Sequence, residues 1–446
     1  MYFSDMQKCL LLVIFMGFLT DISGQEDKLD WFKDAKLGIF IHWGIYAVDG
    51  TDESWAFYNN KVPYDRYMSQ LSRFSASKYD PKDWVNVVAG SGAKYAVLTA
   101  KHHDGVALWN TKQVQKKGSQ PLSIPAQSLA KRDVYTPFTR ALREQGLKVG
   151  VYYSILDWSH PDYTGFRKDS ARYKLADQPD RWNRFLNYNQ AQLTELMNEQ
   201  NPDLWWFDGG WEHNAEEWKA GEIRKMLLSK NPNVIINERL TDNGDYGTPE
   251  QNFPIQRPKE SCWELCMTTN DNWGFQHTDH HWKTPKEIIT IFADVVANGG
   301  NLLLDIGPRE DGTIPNEQLI ILKELGRWNK KHEEAIFGSI PGVSSGHFYG
   351  PSTMSKDSTQ LYLFLPGNAN GFIEVKGIMN AVKRAEILGV GKECPTKVVG
   401  KISWSAKPGL LFIEVPKDEK YLDPMMTVIK LTFDQPLKIY AGAGGL

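Results

Sequence analysis

Short, nearly unbroken apolar runs separated by longer amphipathic stretches most constrain the fold of this chain. Unbroken runs indicate strands buried on both faces, as in parallel sheets, because half-exposed strands alternate apolar and polar residues. The stretches between them carry apolar residues at helical spacing. Strand and helix alternate in this way over roughly 300 residues, which predicts an α/β fold with a TIM-like (β/α)8 barrel. The runs are Leu37–Trp43, Ala93–Ala100, Val149–Ile155, Leu204–Asp208, Val234–Asn237 and Asn301–Ile306, and the amphipathic stretches include Asp83–Gly90, Tyr135–Gln145 and Arg181–Glu199.

The pattern changes after Pro341 and Gly342. Short strand-like runs follow, and Gly, Pro and Asn separate them, which is typical of antiparallel sheets. We therefore assign residues 25–341 to the barrel and residues 342–446 to a C-terminal antiparallel β-sandwich. The predicted sandwich strands are Leu361–Pro366, Gly371–Val375, Lys383–Leu388, Gly409–Val415 and Met426–Phe433.

Residues 1–24 have the pattern of a signal peptide. Lys8 precedes an apolar run from Cys9 to Leu19, and small residues follow at Ser23 and Gly24. The run is too short to span a bilayer comfortably, although an uncleaved anchor is the alternative interpretation. We expect an exported protein, secreted or periplasmic, that has no membrane segment after cleavage of the signal.

Composition excludes some classes of function. The 446 residues carry a formal net charge of -3 without a basic stripe, which argues against nucleic acid as a partner. After signal cleavage Cys262, Cys266 and Cys394 remain, and an odd number does not suit a disulfide framework. We expect neither a metal nor a cofactor. The 16 Trp residues suit the apolar faces of sugars, although a Trp-rich core explains them as well.

Polar residues follow several apolar runs at their C-terminal ends, which converge on one mouth in a barrel. His102 and His103 are adjacent, so on a regular strand they would point to opposite faces. That favours hydrogen bonding to a polar ligand over a shared metal. Hydrolysis of a glycoside needs two carboxyl groups, and Asp208, followed by two Gly, suits close approach to a substrate. The other strand-end candidates are His42, Arg239, Glu264 and Trp273.

Several long motifs occur in one order. They are WFKDAKLGIFIHWG, AKYAVLTAKHHDGVALW, KVGVYYSILDW, PDLWWFDGGW, INER and WELC followed by WGF. This series resembles the α-L-fucosidases of glycoside hydrolase family 29 and covers about residues 31–341. The resemblance implies an exo-acting enzyme that releases terminal fucose from fucosylated glycans. It further implies a retaining mechanism that passes through a covalent fucosyl-enzyme.

The resemblance also implies roles for individual residues. Asp208 matches the nucleophile. Most of the predicted substrate-binding residues fall into two groups, those that hold the fucose hydroxyls and those that meet its apolar edge or methyl group. The first group is His42, His102, His103, Tyr153 and Arg239, and the second is Trp55 and Trp273; Trp43, Glu53 and Trp206 complete the predicted set.

The acid/base is open between two glutamates. Glu250 follows Asp208 on a Gly/Pro-rich loop, and a mobile loop would bring its carboxyl over the site. Glu264 lies on a more strand-like run beside Trp263. Placement relative to the family motifs favours Glu250. Other hypotheses are a different exo-glycosidase on the same barrel, a catalytically inactive sugar-binding protein and a metal-dependent hydrolase.

Overall fold

The structure is a computed structural model that describes residues 27–253, 258, 262–367 and 371–442. The predicted signal peptide lies outside the described residues. Within them, no helix combines the length and the apolar character needed to cross a membrane. Cys262, Cys266 and Cys394 are buried and carry free thiols.

Seven parallel strands form the main sheet, in the order β7-β6-β3-β2-β1-β9-β8. Six of them coincide with the predicted apolar runs, and β8 is added in the Trp-Glu-Leu-Cys segment. A small antiparallel hairpin, β4–β5, follows β3. The strands are β1 Leu37–Ile41, β2 Tyr95–Lys101, β3 Lys148–Ser154, β4 Gly165–Arg167, β5 Ser170–Ala171, β6 Leu204–Asp208, β7 Ile235–Ile236, β8 Glu264–Thr268 and β9 Asn301–Ile306.

The segment 246–250 bridges the two edges of this sheet. Tyr246 pairs in parallel with Asn237, beyond the end of β7, while Gly247 and Glu250 pair in parallel with residues of the β8 side. The backbone N–H of Cys266 donates to the carbonyl of Pro249 at 3.1 Å. The segment predicted as a mobile loop therefore occupies the position of an eighth barrel strand and pairs with both of its neighbours. The predicted TIM-like fold class is confirmed.

The longer helices surround the sheet as a ring of neighbours, with contacts between α4 and α6, α6 and α7, α7 and α9, α10 and α11, and α11 and α4. Asp80 caps α4 through its side chain, and Thr284 caps α10 with a reciprocal capping box. The helices are α1 Asp30–Ala35, α2 Trp55–Tyr58, α3 Tyr64–Met68, α4 Pro81–Gly90, α5 Ile124–Gln127, α6 Thr136–Glu144, α7 Pro179–Gln200, α8 Ala215–Trp218, α9 Ala220–Lys230, α10 Pro285–Ala297 and α11 Asn316–Ile336.

Two separate apolar cores lie on the two faces of the barrel strands. Successive side chains on a strand alternate between faces. Tyr152 and Trp206 belong to the cluster inside the barrel. Their neighbours Tyr153, Trp205 and Phe207 belong to the larger cluster between strands and helices. This alternation decides which strand residues reach the mouth of the barrel.

The C-terminal region is an antiparallel sandwich, as predicted. A six-stranded sheet has the order β10-β11-β12-β18-β14-β15, and a three-stranded sheet has the order β13-β17-β16. The first strand of the larger sheet lies at the end of the range predicted for the barrel. The strands are β10 Ile340–Pro341, β11 Ser352–Met354, β12 Gln360–Leu365, β13 Gly371–Val375, β14 Arg384–Ile387, β15 Lys392–Glu393, β16 Thr396–Val399, β17 Leu410–Val415 and β18 Thr427–Thr432.

A buried carboxylate connects the C-terminal sandwich to helix α11 of the barrel. Asp423 of the sandwich accepts hydrogen bonds from both terminal nitrogens of Arg327 on α11, at 2.9 and 3.0 Å, and from Lys331 at 3.0 Å. Its side chain is 1% exposed. Beside it, the Trp328 indole N–H donates to the carbonyl of Met426. Burial alone would raise the pKa of Asp423, but its bonds to Arg327 and Lys331 hold the pKa below its usual value.

We expect Asp423→Asn to lower the free energy of unfolding by roughly 2–3 kcal/mol at neutral pH, because a buried carboxylate that accepts three charge-assisted hydrogen bonds is replaced by a neutral amide. The pKa of Asp423 is depressed in the folded state, so its contribution is present above about pH 4 and is lost as the pH falls further. Denaturant unfolding as a function of pH measures this. Asp434→Asn is the matched control, since the Asp434 carboxylate pairs with Lys383 at an exposed site and should change stability little. If both substitutions change the free energy of unfolding equally, Asp423 does not stabilise the contact between the barrel and the sandwich.

Candidate active site

A cavity of about 350 Å³ opens at the carboxyl ends of the barrel strands. Asp208 is the last residue of β6, His42 follows β1, and His102 and His103 follow β2. Parallel strands bring their ends to the same mouth, so these side chains meet although they are distant in sequence. The lining residues are Phe40, His42, Trp55, His102, His103, Tyr152, Trp206, Asp208, Trp211, Arg239, Glu250 and Trp273.

Asp208 is contacted by three polar side chains. The Tyr152 hydroxyl donates to Oδ2 at 2.8 Å, and an Arg239 terminal nitrogen donates to Oδ1 at 3.2 Å. The Nε2 atom of His103 lies 3.6 Å from Oδ2. Burial, and next the Asp208 carboxylate, raise the pKa of Tyr152 well above its usual value, so the phenol keeps its proton. The hydrogen bonds from Tyr152 and Arg239 fix the orientation of the Asp208 carboxyl group.

Arg239 joins both carboxylates of the cavity. One terminal nitrogen contacts Asp208, and the other donates to Glu250 Oε2 at 2.6 Å. The guanidinium lies over the Trp206 ring at 4.5 Å from its centroid. Burial lowers the pKa of Arg239, but Asp208 and Glu250 outweigh this and raise it, so the group stays charged. The arrangement places two carboxylates around one fixed cation at the mouth of the barrel.

Each of the three cavity histidines is fixed through its Nδ1 atom. His42 Nδ1 lies 2.7 Å from an oxygen of Asp305, and His103 Nδ1 lies 2.7 Å from the Ser154 hydroxyl. Ser54 holds His102 in the same way, at 2.5 Å. Burial lowers the pKa of His42 and His102 well below the usual value and that of His103 to about 3. The rings are therefore neutral near pH 7, and each keeps Nε2 for a polar ligand.

His102 and His103 both line the cavity, although regular alternation predicts opposite faces. The pairing of β2 with β3 shifts register between Thr99 and Lys101. Lys101 then points away from the cavity and bonds the Tyr153 hydroxyl at 3.0 Å. After this irregularity the chain leaves the strand, and the two imidazole centroids lie 4.2 Å apart. A bulge at a strand end re-aims side chains in this way.

Aromatic rings form much of the remaining wall. Trp206 stacks on Tyr152 at an interplanar angle of 18°, and Phe40 packs against Trp206. Trp211 stacks on Trp55 at 16°, at the outer edge of the cavity. Rings of this kind suit the C–H faces and the methyl group of a deoxy sugar. Tyr152, Phe40 and Trp211 are absent from the sequence-based prediction.

Glu53 and Glu264 lie outside the cavity. Glu53 is buried, accepts the backbone N–H of Gly274 and so supports the neighbouring Trp273. Glu264 begins β8, in the interior of the barrel, where it accepts from the Tyr95 hydroxyl and from the Trp206 indole at 3.1 Å. Burial raises the pKa of each carboxyl to about 8. Of the two glutamates considered as the acid/base, only Glu250 lines the cavity.

Two predicted substrate-binding residues face the opposite core, which corrects the prediction. Trp43 is fully buried, packs on Phe74 and Trp84, and donates its indole N–H to the carbonyl of Arg309. The Tyr153 hydroxyl contacts Asn189 and Gln192 of α7. Each lies one residue beyond a cavity residue, so alternation turns it outward.

We expect Tyr152→Phe to affect mainly kcat and Tyr153→Phe to affect mainly stability. Tyr152→Phe removes a hydrogen bond to the Asp208 carboxylate and should lower kcat by about 10- to 100-fold with little change in melting temperature. Tyr153→Phe is the matched control. It should keep kcat near wild type but cost about 1–3 kcal/mol of stability, because the buried side-chain oxygens of Asn189 and Gln192 each lose the hydrogen bond from the Tyr153 hydroxyl. Steady-state kinetics and thermal unfolding test both. A larger loss of kcat in Tyr153→Phe would contradict the assignment.

One group among the described residues has the spacing of metal ligands, namely Asp271, Asp279 and His281. The Asp279 carboxylate accepts hydrogen bonds from the side chains of Asn270 and Asn272. It also accepts from the backbone of Asp271 and His281. These hydrogen bonds account for the cluster without a metal ion, because they show that the Asp279 carboxylate holds a surface turn together.

Comparison with known proteins points to the same family as the sequence motifs. The α-L-fucosidase family model matches residues 20–334. An α-L-fucosidase of Dictyostelium discoideum is 30% identical over 440 residues, covering 90% of this chain and 92% of its own.

Solved structures agree as well. The α-L-fucosidase isoenzyme 1 of Paenibacillus thiaminolyticus superposes with a TM-score of 0.81 at 32% identity, covering 92% of this chain and 99% of its own. A Bacteroides thetaiotaomicron α-L-fucosidase, described as a trapped covalent intermediate of glycoside hydrolase family 29, superposes with a TM-score of 0.77 at 28% identity, covering 92% and 96%. The chain therefore belongs to the α-L-fucosidases of glycoside hydrolase family 29.

Proposed function

We propose that this enzyme is an exo-acting, retaining α-L-fucosidase in which Asp208 is the nucleophile and Glu250 is the acid/base. The observation that carries the proposal is that both carboxylates face one cavity and contact the same guanidinium, that of Arg239. Glycoside hydrolysis with retention needs two such groups on opposite sides of the scissile bond. The bacterial relative described as a covalent intermediate supports the same mechanism.

The reaction follows from these two groups in two steps. An Asp208 oxygen attacks the anomeric carbon while the bond to the leaving oxygen breaks, and Glu250 gives its proton to that oxygen. In the second step Glu250 takes a proton from water, the water oxygen bonds to the anomeric carbon, and the bond to Asp208 breaks. Both steps invert the anomeric centre, so the released fucose has the configuration of the substrate.

The remaining polar side chains are proposed to hold the sugar. His42, His102 and His103 are neutral and fixed, so they exchange hydrogen bonds with fucose hydroxyls without competing for the proton of Glu250. Tyr152 and Arg239 keep Asp208 oriented. Trp206, Phe40 and Trp273 provide apolar surface for the ring face and methyl group.

Hydrolysis of an aryl α-L-fucoside, followed by proton NMR, tests the proposal. We expect α-L-fucose as the first product, followed by mutarotation, and the same rate after treatment with a chelator. First release of β-L-fucose would refute retention. Absence of turnover on any α-L-fucoside would refute the activity, and hydrolysis of other glycosides instead would favour a different exo-glycosidase.

We also propose that the enzyme is exported. The basic and apolar pattern of residues 1–24 supports a cleaved signal, with Gln25 as the first residue of the mature chain. N-terminal sequencing of the secreted or periplasmic protein tests this. Retention of Met1 in a membrane fraction would favour the uncleaved anchor.

A further inference from the structure

A second, more open cleft adjoins the active-site cavity. Its volume is about 560 Å³, and it shares Trp211 and Arg239 with that cavity. The loops that follow β6 and β7 form it. Gly210 allows these loops to pack closely, because a Cβ atom there would lie 2.5 Å from the carbonyl oxygen of Arg239. The cleft therefore begins where the active-site cavity ends.

Trp211 stands at the boundary between the two spaces. Its ring stacks on Trp55 and meets His103 edge-on at 5.5 Å, so neighbouring rings fix its orientation. Even so, 54% of the Trp211 surface is exposed. A large apolar ring that is rigidly held and still open to solvent suits the C–H face of a pyranose.

Asp242 provides a free hydrogen-bond acceptor in the same cleft. Glu238 already accepts the backbone N–H of Thr248 at 2.6 Å, and Asn214 caps α8. Asp242 is exposed, and within the described part of the chain no side chain pairs with its carboxylate. That carboxylate is available for the hydroxyl groups of a ligand.

The backbone at this point is strained. Thr241 and Asp242 have φ angles of 45° and 59°, two consecutive non-glycine residues in the left-handed region. A β-branched residue such as Thr rarely adopts it. The Asp242 N–H donates to the carbonyl of Glu238 at 2.9 Å, and the Asn243 N–H donates to that of Leu240. Strain that the surroundings maintain in this way clusters at ligand sites.

We propose that this cleft is the leaving-group subsite, which binds the neutral sugar to which fucose is attached. The inference rests on the proposed function, since it assumes that fucose occupies the adjoining cavity. The leaving pyranose stacks on Trp211 and donates hydroxyl hydrogen bonds to Asp242. An uncharged, hydroxyl-rich saccharide fits this combination of a flat ring and one carboxylate without a side-chain partner among the described residues.

Asp242→Gly tests the subsite. Gly adopts a φ of about 60° without strain, so the substitution removes the carboxylate but keeps the loop conformation. The probes are 4-nitrophenyl α-L-fucoside and a panel of fucosylated di- and trisaccharides that covers the common linkages. We expect kcat/KM for the preferred saccharide to fall about tenfold relative to kcat/KM for the aryl fucoside. Transfer of fucose to that saccharide's defucosylated acceptor should fall in parallel.

Asp169→Gly is the matched control. Asp169 is also exposed with a φ of 62°, but it lies outside both spaces. The ratio of the two kcat/KM values should not change in this variant. An unchanged ratio in Asp242→Gly would overturn the subsite and leave the fucosidase proposal intact. Wild-type enzyme that hydrolyses no fucoside would overturn both.

Discussion

Asp208→Ala should lower kcat on an aryl α-L-fucoside by about 10⁴- to 10⁶-fold, because the other carboxylate that lines the cavity among the described residues, Glu250, is assigned to proton transfer rather than to nucleophilic attack. The shortened side chain leaves a small space beside the anomeric carbon. Azide should enter it and restore part of the turnover. Since azide attacks from the side of the missing carboxylate, the product should be the β-fucosyl azide, with inverted configuration. Product NMR identifies it.

Asp208→Asn is the matched variant for this experiment. The amide fills the space of the carboxylate and still accepts the hydrogen bond from Tyr152, but it is a poor nucleophile. We expect the same loss of kcat and no rescue by azide. Thermal unfolding near that of wild type would show that both variants fold. Substantial residual activity in Asp208→Ala, or an azide product of α configuration, would contradict the role of Asp208.

The position of the cavity could be predicted from the sequence because strand ends are easy to recognise. His42 and Asp208 lie at the ends of apolar runs and Arg239 follows one, and parallel strands bring such ends together. The face of each side chain was harder to predict. Strict alternation places Tyr152 and Tyr153 on opposite faces of their strand, and it separates His42 from Trp43 in the same way. On β6, counting back two residues from Asp208 reaches Trp206, which also faces the cavity. The same rule fails at His102 and His103, because a register shift intervenes.

The eighth strand position of the barrel, segment 246–250, could not be predicted from its own residues. Segment 246–250 contains Gly247 and Pro249, which are disfavoured in strands. Its pairing on both sides comes from the closure of the barrel rather than from local preference. This closure also gives Glu250 a defined position, next to Arg239. Glu264 has the more strand-like sequence, but it begins its strand, away from the carboxyl end where the cavity opens, and it contacts Trp206 without lining the cavity itself.

Glu250→Ala should show the dependence on leaving group that defines a general acid. With a saccharide leaving group, which needs protonation, we expect kcat/KM to fall about 10²- to 10⁴-fold. With a dinitrophenyl leaving group, which needs none, the first step should proceed nearly as in wild type. The covalent fucosyl-enzyme should then accumulate, because its hydrolysis lacks a base. Azide should intercept it and give the α-fucosyl azide, with retained configuration, opposite to the product of Asp208→Ala.

Glu264→Gln separates the two glutamates. Burial raises the pKa of Glu264 to about 8, so this carboxyl is mostly protonated at neutral pH and Gln resembles it in charge and shape. Its carbonyl oxygen can still accept a hydrogen bond inside the barrel, where Tyr95 and Trp206 donate to Glu264. We expect activity near wild type on both leaving groups, whereas Glu250→Gln should fail on the saccharide. If Glu264→Gln shows the dependence on leaving group and Glu250→Gln does not, the acid/base is Glu264. The cavity must then rearrange when substrate binds, because Glu264 does not line it in this structure.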